Sequence, residues 1–457
     1  MKRVLTLATT LFCLMATASL ASAQQIAGDW QGSLDTGAGK LRLVLHITQG
    51  ADGNLQSTLD SLDQGANAIP VASTTLKNSS LHLDVAAVRG SYDGTVSADG
   101  NSISGQWSQG LELPLTLTRV TDKSALVIKH PQVPVRPYPY HEEELTYENK
   151  AQNVTLAATL TIPQGKGPFT AVLLISGSGP QDRDESLLGH KPFLILSDYL
   201  TRHGIAVLRA DDRGVGKSSG TFSTATTADF ATDAEAGIAY LKTRVEVNPH
   251  KIGLIGHSEG GTIAPMIAAR RKDVAFIVMM AGTGVPGDQV IPAQVEAIAL
   301  AGGKSAEEAA KAAAKERDIL KLVETEKDEA VLEKQLREKV AGEIPEAQIG
   351  MQLKAITSPW YRYFLTYDPA SALRHVSCPV LAINGSLDRQ VLPDQNLPAI
   401  RQALQAAGNT HAQIDELPGL NHLFQTATTG SPSEYARIEE TLSPLALEKM
   451  ASWIAKR

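Results

Sequence analysis

Apolar and polar residues alternate along Ile26 to Val120, in segments such as Leu41-Arg42-Leu43-Val44-Leu45-His46-Ile47, Leu81 to Val85 and Leu113 to Leu117. Successive side chains of a strand point to opposite faces, so a period of two predicts strands with one buried face. Turn punctuation at Asp52-Gly53, Asp93-Gly94 and Asp99-Gly100 makes the pairing antiparallel. The expected product is a small all-β barrel or sandwich over residues 24–125, with Trp30 and Trp107 as core plugs.

Residues 126–141 carry Pro131, Pro134, Pro137 and Pro139, a density that removes backbone donors and predicts an extended linker. Beyond it the pattern changes. Val154 to Ile162, Thr170 to Ile175 and Ile205 to Arg209 read as strands, with helical patterns at Phe193 to His203 and Phe230 to Arg244. Strands apolar on both faces, alternating with helices, predict a mostly parallel sheet flanked by helices over residues 142–457. The ligand site of such a sheet lies at the carboxyl ends of its strands.

Composition narrows the function. The net charge is −7 and 20% of residues are charged, so the basic face that nucleic acid requires is missing. Lys2 and Arg3, the apolar stretch Val4 to Leu20 and the small-x-small triplet Ala21-Ser22-Ala23 read as a signal peptide over residues 1–23, which directs the chain to the periplasm or outside the cell. Its removal takes two cations and shifts the balance from −7 to −9. Stable membrane insertion is not expected, because the apolar run is short and broken by Ser and Thr. Cleavage also leaves Cys378 as the single thiol, read as a small buried hydrophobe, so packing and not a disulfide must hold the exported protein.

The chemistry is concentrated at Gly256-His257-Ser258-Glu259-Gly260. This G-x-S-x-G run lies between the apolar strand Lys251 to Ile255 and a helical pattern from Gly261, the setting of a nucleophile elbow. Such a turn exposes the Ser258 oxygen and aims the Glu259 amide and a helix N-terminus at the reacting carbonyl oxygen. A serine hydroxyl needs a base to take its proton and an acid to orient that base. Asp388 follows the strand Val380 to Ile383 and is favoured as the acid over Asp394, a candidate helix cap, and Asp415, inside the strand Ala412 to Leu417. His422 follows that strand at the end where Ser258 and Asp388 also emerge, whereas His411 precedes it at the opposite end. His257 points away around the elbow and is given a supporting role.

A second oxyanion donor is expected from the loop Ser176 to Asp184, whose glycines let bare amides approach a substrate. With that loop, Asp211 to Ser218, the elbow, Asn384 to Asp388 and Asn421-His422, the chain from Glu142 to Arg457 resembles α/β-hydrolase superfamily serine hydrolases. It is most similar to bacterial esterase D-type carboxylesterases and to serine-aminopeptidase-like, dienelactone-hydrolase-related enzymes. The resemblance implies Ser258 as nucleophile, His422 as base, Asp388 as its orienter, and the amides of Glu259 and Ser178 or Gly179 as the oxyanion hole. Asp212 and Arg213 are read as a brace for a loop. Ser176 stands where many relatives have His, and a Ser in place of the Cys of dienelactone hydrolases argues against a lactone of that kind.

Between the strands Ala275 to Met280 and Val380 to Ile383 lies a helical insertion, about residues 286–363, whose middle from Ser305 to Ala341 is rich in Ala, Glu and Lys. Its position predicts a lid over the triad, with a solvated arm as the alternative. Trp360, Tyr361, Tyr363 and Phe364 close it and suit an acyl or aryl pocket. The expected function is hydrolysis of small-molecule carboxylic esters through an acyl-enzyme, with no metal or organic cofactor. A peptidase, amidase or acyltransferase is the enzymatic alternative, and a binding protein with an inert hydrolase fold the other. The sequence says nothing of oligomeric state.

Overall fold

The computed structural model describes residues 26–35, 40–50, 52–62, 66–122, 130–340 and 346–457. The signal-peptide reading of residues 1–23 therefore lies outside the described residues, as does the linker segment 126–129. No helix of the described residues is long and apolar enough to cross a membrane. The chain divides into two compact units, residues 1–129 and 130–457.

Among the described residues the first unit forms one antiparallel sheet of nine strands: β1 Gly28–Asp35, β2 Lys40–Gln49, β3 Leu55–Ser61, β4 Ala66–Pro70, β5 Ser73–Lys77, β6 Ser80–Val85, β7 Gly90–Val96, β8 Ser102–Ser108 and β9 Glu112–Arg119. Their order is β4-β3-β2-β1-β9-β8-β7-β6-β5. The sheet curls until β5 meets β3, where the Thr74 hydroxyl donates to Ser57 Oγ at 2.9 Å and the Val71 amide to the Ser57 carbonyl at 3.3 Å. Alternate residues then share one interior, as β6 shows with Leu81, Leu83 and Val85 buried while Ser80 and Asp84 are exposed and His82 is half-buried. Trp30 fills the centre, its Nε1–H donating to the Ile26 carbonyl at 2.9 Å, and the Arg119 guanidinium lies 4.1 Å over its ring. Asp93-Gly94 is no turn. Both residues pair in the middle of β7, where Gly94 is required because the Tyr92 ring folds over it and would lie 2.7 Å from any Cβ. The signal misled because a glycine that admits a neighbouring ring looks the same in sequence as one that turns the chain.

The second unit begins inside the proline-rich stretch. Gln132 accepts from the Thr441 and Leu442 amides and donates to the Leu442 carbonyl, and the Tyr140 hydroxyl donates to Asp198 at 2.9 Å. Residues 130–140 are thus docked along this unit and do not form a free spacer. Eight strands follow: β10 His141–Asn149, β11 Val154–Ile162, β12 Phe169–Ile175, β13 Ile205–Ala210, β14 Val247–His257, β15 Ile277–Met280, β16 Val380–Gly385 and β17 Ala412–Leu417. In the order β10-β11-β13-β12-β14-β15-β16-β17, all from β13 onward run parallel, while β10 and β11 are antiparallel to their neighbours. The central strands are buried on both faces, hence the unbroken apolar runs Ala171 to Ile175 and Ile277 to Met280.

Helices α1 Pro192–Arg202, α2 Thr227–Leu241 and α3 Glu259–Arg270 precede the insertion. Among its described residues the insertion forms five helices: α4 Gly287–Ala301, α5 Ala306–Thr325, α6 Glu329–Val340, α7 Glu346–Ile356 and α8 Pro359–Thr366. Then come α9 Pro369–Leu373, α10 Pro393–Ala406 and α11 Pro444–Ile454. One face of the sheet packs on α2, α3, α9 and α10, the other on α1 and α11. This is the α/β-hydrolase architecture with a helical lid insertion. The insertion owns a core of Ile319, Leu320, Val323, Leu332, Leu336, Leu353 and Leu365, so it is a packed body and not a solvated arm.

Burying Trp30 completely makes it the main filler of the first unit. Trp30→Ala is expected to lower that unit's stability by about 3–5 kcal/mol through the cavity it leaves, read from chemical denaturation followed by far-UV circular dichroism.

Candidate active site

At the end of β14 the chain turns into α3 with Ser258 at φ +51° and ψ −112°, a conformation that costs a non-glycine residue energy. Close crossing of backbones enforces it. A Cβ on Gly256 would lie 1.9 Å from the Gly260 carbonyl oxygen, and one on Gly260 would lie 2.1 Å from that of Ile175. The two outer positions of the motif must therefore be bare. The Ser258 amide donates to the Met280 carbonyl at 2.8 Å, so the first amide still available to a substrate is that of Glu259 at the head of α3.

His422 stands in the loop after β17, and its Nδ1–H donates to Asp388 Oδ2 at 2.8 Å. The other oxygen, Oδ1, accepts the amides of Gln390 and Val391 at 2.8 and 2.9 Å, which locks the fully buried carboxylate. Asn421 shapes the histidine loop: its side-chain oxygen accepts the Leu423 and Gln425 amides. Ser258 and His422 line the same two cavities. The rivals fall away. Asp394 is exposed in the first turn of α10, Asp415 pairs with Lys449 at 2.8 Å, and His411 is exposed before β17.

On the loop after β12, the Gly177 amide donates to Glu185 Oε1 at 2.7 Å and the Gln181 amide to Asp212 Oδ2 at 2.9 Å. Ser178 lines both cavities beside Ser258, whereas Gly179, at φ +95°, faces a smaller cavity of about 50 Å³ beside Asp212. Of the two alternatives, Ser178 is the one that shares cavities with Ser258. The Ser176 hydroxyl donates to Asp212 Oδ1 at 2.8 Å, so the half-buried Asp212 ties the start of the loop to its middle. Arg213 faces elsewhere, forked onto Asp233 at 2.7 and 2.8 Å. Both members of the pair brace, but they brace different segments.

Three partnerships have no signature in the sequence. Buried Glu185 accepts from His257 Nδ1–H at 2.9 Å, while His257 Nε2 lies 3.0 Å from the His422 carbonyl. Burial works against charge on His257, but Glu185, the His422 carbonyl and Asp388 outweigh it and raise the pKa above its ordinary value. Glu259 Oε1 accepts from the Thr227 hydroxyl and from Trp360 Nε1–H, both at 2.7 Å, and burial pushes this carboxyl up to about 6. Burial also pushes Asp212 up to about 7 against its hydrogen bonds. Each link joins residues far apart in the chain, and only the folded sheet reveals them. Cys378 is half-buried at the core's edge, and burial pushes its thiol up to about 11, away from the thiolate form.

The larger cavity at Ser258 has a volume of about 350 Å³ and is walled by Ile291, Val295 and Ile298 of α4 and Trp360, Tyr361 and Phe364 of α8. The smaller, about 120 Å³, lies toward Leu187, His190 and Leu423. Among the described residues Glu259 is the single acidic side chain lining the larger one.

Fold and site together define a hydrolase of the α/β-hydrolase class. A model of the X-Pro dipeptidyl-peptidase (S15) family matches residues 150–417, and the chain belongs to this family. The match includes Ser258 and Asp388 and ends just before the loop of His422. The chain is 28% identical to the esterase EstD of Thermotoga maritima over 325 residues, 70% of this chain and 69% of that one. Two solved structures are similar at lower identity. A hypothetical protein from Pseudomonas aeruginosa has a TM-score of 0.46 at 17% identity, covering 71% of this chain and 96% of its own. An esterase from Pyrococcus furiosus has a TM-score of 0.42 at 16%, covering 72% and 96%.

Asp212 gives a pH prediction. Its folded pKa stands above the ordinary carboxyl value, so its stabilising contribution is complete below about pH 4 and is lost as pH rises through about 7. Asp212→Asn is expected to flatten the fall of the urea midpoint between those limits; an unchanged slope would show that this carboxyl does not titrate with folding.

Proposed function

We propose that the protein is an exported serine carboxylesterase. Ser258 Oγ attacks the ester carbonyl carbon while His422 Nε2 takes its proton, and Asp388 holds the ring and stabilises its cationic form. The amides of Glu259 and Ser178 receive the developing oxyanion. The imidazolium then protonates the departing alcohol, leaving an acyl group on Ser258. A water deprotonated by His422 attacks that acyl carbon and releases the acid. No metal or organic cofactor is needed for either half. The signal-peptide pattern of residues 1–23 supports a periplasmic or extracellular site of action.

One observation carries the choice of esters over peptides. An enzyme that removes residues from a peptide's amino end must receive a free ammonium, which calls for an unengaged carboxylate near the nucleophile. The acidic side chain on the larger cavity is Glu259, and its Oε1 already accepts two hydrogen bonds. The lid residues on this cavity carry no charge and are apolar or aromatic except for Gln294, and EstD of Thermotoga maritima is itself named an esterase. A dipeptidyl-peptidase activity is the second reading, favoured by the family's description.

Ser258→Ala is expected to abolish labelling by a fluorophosphonate probe and to reduce hydrolysis of p-nitrophenyl butyrate by about 10⁴-fold or more. Asp388→Asn should cost about 10³–10⁴-fold by leaving the imidazole in the wrong tautomer. Purified enzyme should cleave p-nitrophenyl esters and leave Ala-Pro-p-nitroanilide nearly untouched; faster cleavage of the anilide would establish the peptidase reading instead.

A further inference from the structure

The mechanism uses the Glu259 backbone and leaves its side chain unexplained. That carboxyl is buried beside the nucleophile and binds two elements at once, Thr227 at the head of α2 and Trp360 of the lid helix α8. A polar group buried at this depth is costly unless partnered, so the Trp360 N–H and Thr227 hydroxyl are what make the site tolerable. The indole in turn stacks on Phe364, with ring centres 5.6 Å apart and planes within 2° of parallel. Phe364 packs against Gly287 at the root of α4, so the aromatic pair is anchored to the elbow at one end and to the lid's base at the other.

We propose that Trp360 is the specificity-determining residue for the acyl group, that Glu259 is its positioning residue, and that the preferred substrates are esters whose acyl part carries a flat aromatic ring. The inference rests on the esterase reading above and deepens it. Trp360 Nε1 is bonded to the side chain of the residue that directly follows Ser258, and both Ser258 and Trp360 line the larger cavity, so an acyl group that extends from Ser258 into this cavity passes the indole. The pocket continues past it between Phe364 and the aliphatic residues Ile291, Val295 and Ile298. At about 350 Å³ it is roomier than an acetyl group needs and suits a ring-sized acyl part. A flat ring gains offset-stacking or edge contacts from the Trp360–Phe364 panel that a saturated chain cannot make. Because the panel's angle is held by one hydrogen bond to Glu259, the side chain that carries an oxyanion amide also sets the pocket's shape.

The test compares p-nitrophenyl 3-phenylpropanoate with p-nitrophenyl nonanoate, acyl groups of equal carbon count, as a ratio of kcat/KM. Wild type is expected to favour the phenyl ester by roughly tenfold, the scale of a ring-stacking contact. Trp360→Ala should bring the ratio to about one through a higher KM for the phenyl ester, and Trp360→Phe should keep part of the preference. Glu259→Ala should lower the ratio, whereas Glu259→Gln, which retains an oxygen to accept the indole N–H, should restore it. Fluorophosphonate labelling reports for each variant whether the fold and nucleophile survive. An unchanged ratio in a Trp360→Ala protein that still labels, or a wild type with no preference, overturns the inference alone. A wild type that neither labels nor cleaves either ester overturns the esterase reading beneath it. If Trp360→Ala fails to label, the ratios of Trp360→Phe and Glu259→Ala decide, and wild-type ratios in both overturn the proposal.

Discussion

Backbone segments from β12, β14 and α3 cross more closely around Ser258 than side chains allow. The carbonyl of Ile175 lies against Gly260, and the carbonyl of Gly260 against Gly256, each where a Cβ would collide. That crowding forces Ser258 to a positive φ and turns its oxygen outward, and it places the head of α3 beside the loop after β12. The rest of the site is arranged around this fixed point. A looser turn would let Ser258 relax to an ordinary conformation and would separate the Glu259 amide from Ser178.

Buried and half-buried carboxyls then do for the loops what glycines do for the turn. Asp388 fixes two amides after β16, Glu185 fixes the Gly177 amide and the His257 ring, and Asp212 clasps Ser176 to Gln181. Loops cannot satisfy their polar groups by repeating structure, and a carboxylate with several acceptor sites gathers donors from separate segments. The penalty shows as carboxyls pushed toward neutrality, Asp212 to about 7 and Glu259 to about 6.

The order of strands and helices was legible because it depends on local periodicity. The alternation of β6 and the unbroken apolar run of β12 each describe one environment, and burial follows directly. Gly94 was misread because its role depends on Tyr92 folding across it. Residues 130–140 were read as a spacer because proline density reports a stiff backbone and not what it lies against; Gln132 and Tyr140 dock the segment through partners far along the chain. In the insertion, the Ala, Glu and Lys texture announced helices, while the core of Leu320, Leu336 and Leu365 belongs to their mutual packing.

By itself the sequence marked the two kinds of sheet, the elbow, and Ser258, Asp388 and His422 as candidates at the carboxyl ends of their strands, because a strand's end and the turn that follows are written in consecutive residues. The tertiary structure alone decided that Ser178 and not Gly179 lines the cavities beside Ser258, that Asp212 holds Ser176, and that Glu259 reaches Trp360. Those pairings are set by how neighbouring strands and the lid are brought into register across the sheet. A hydrogen bond of 2.7 Å between residues a hundred positions apart leaves no trace in local pattern.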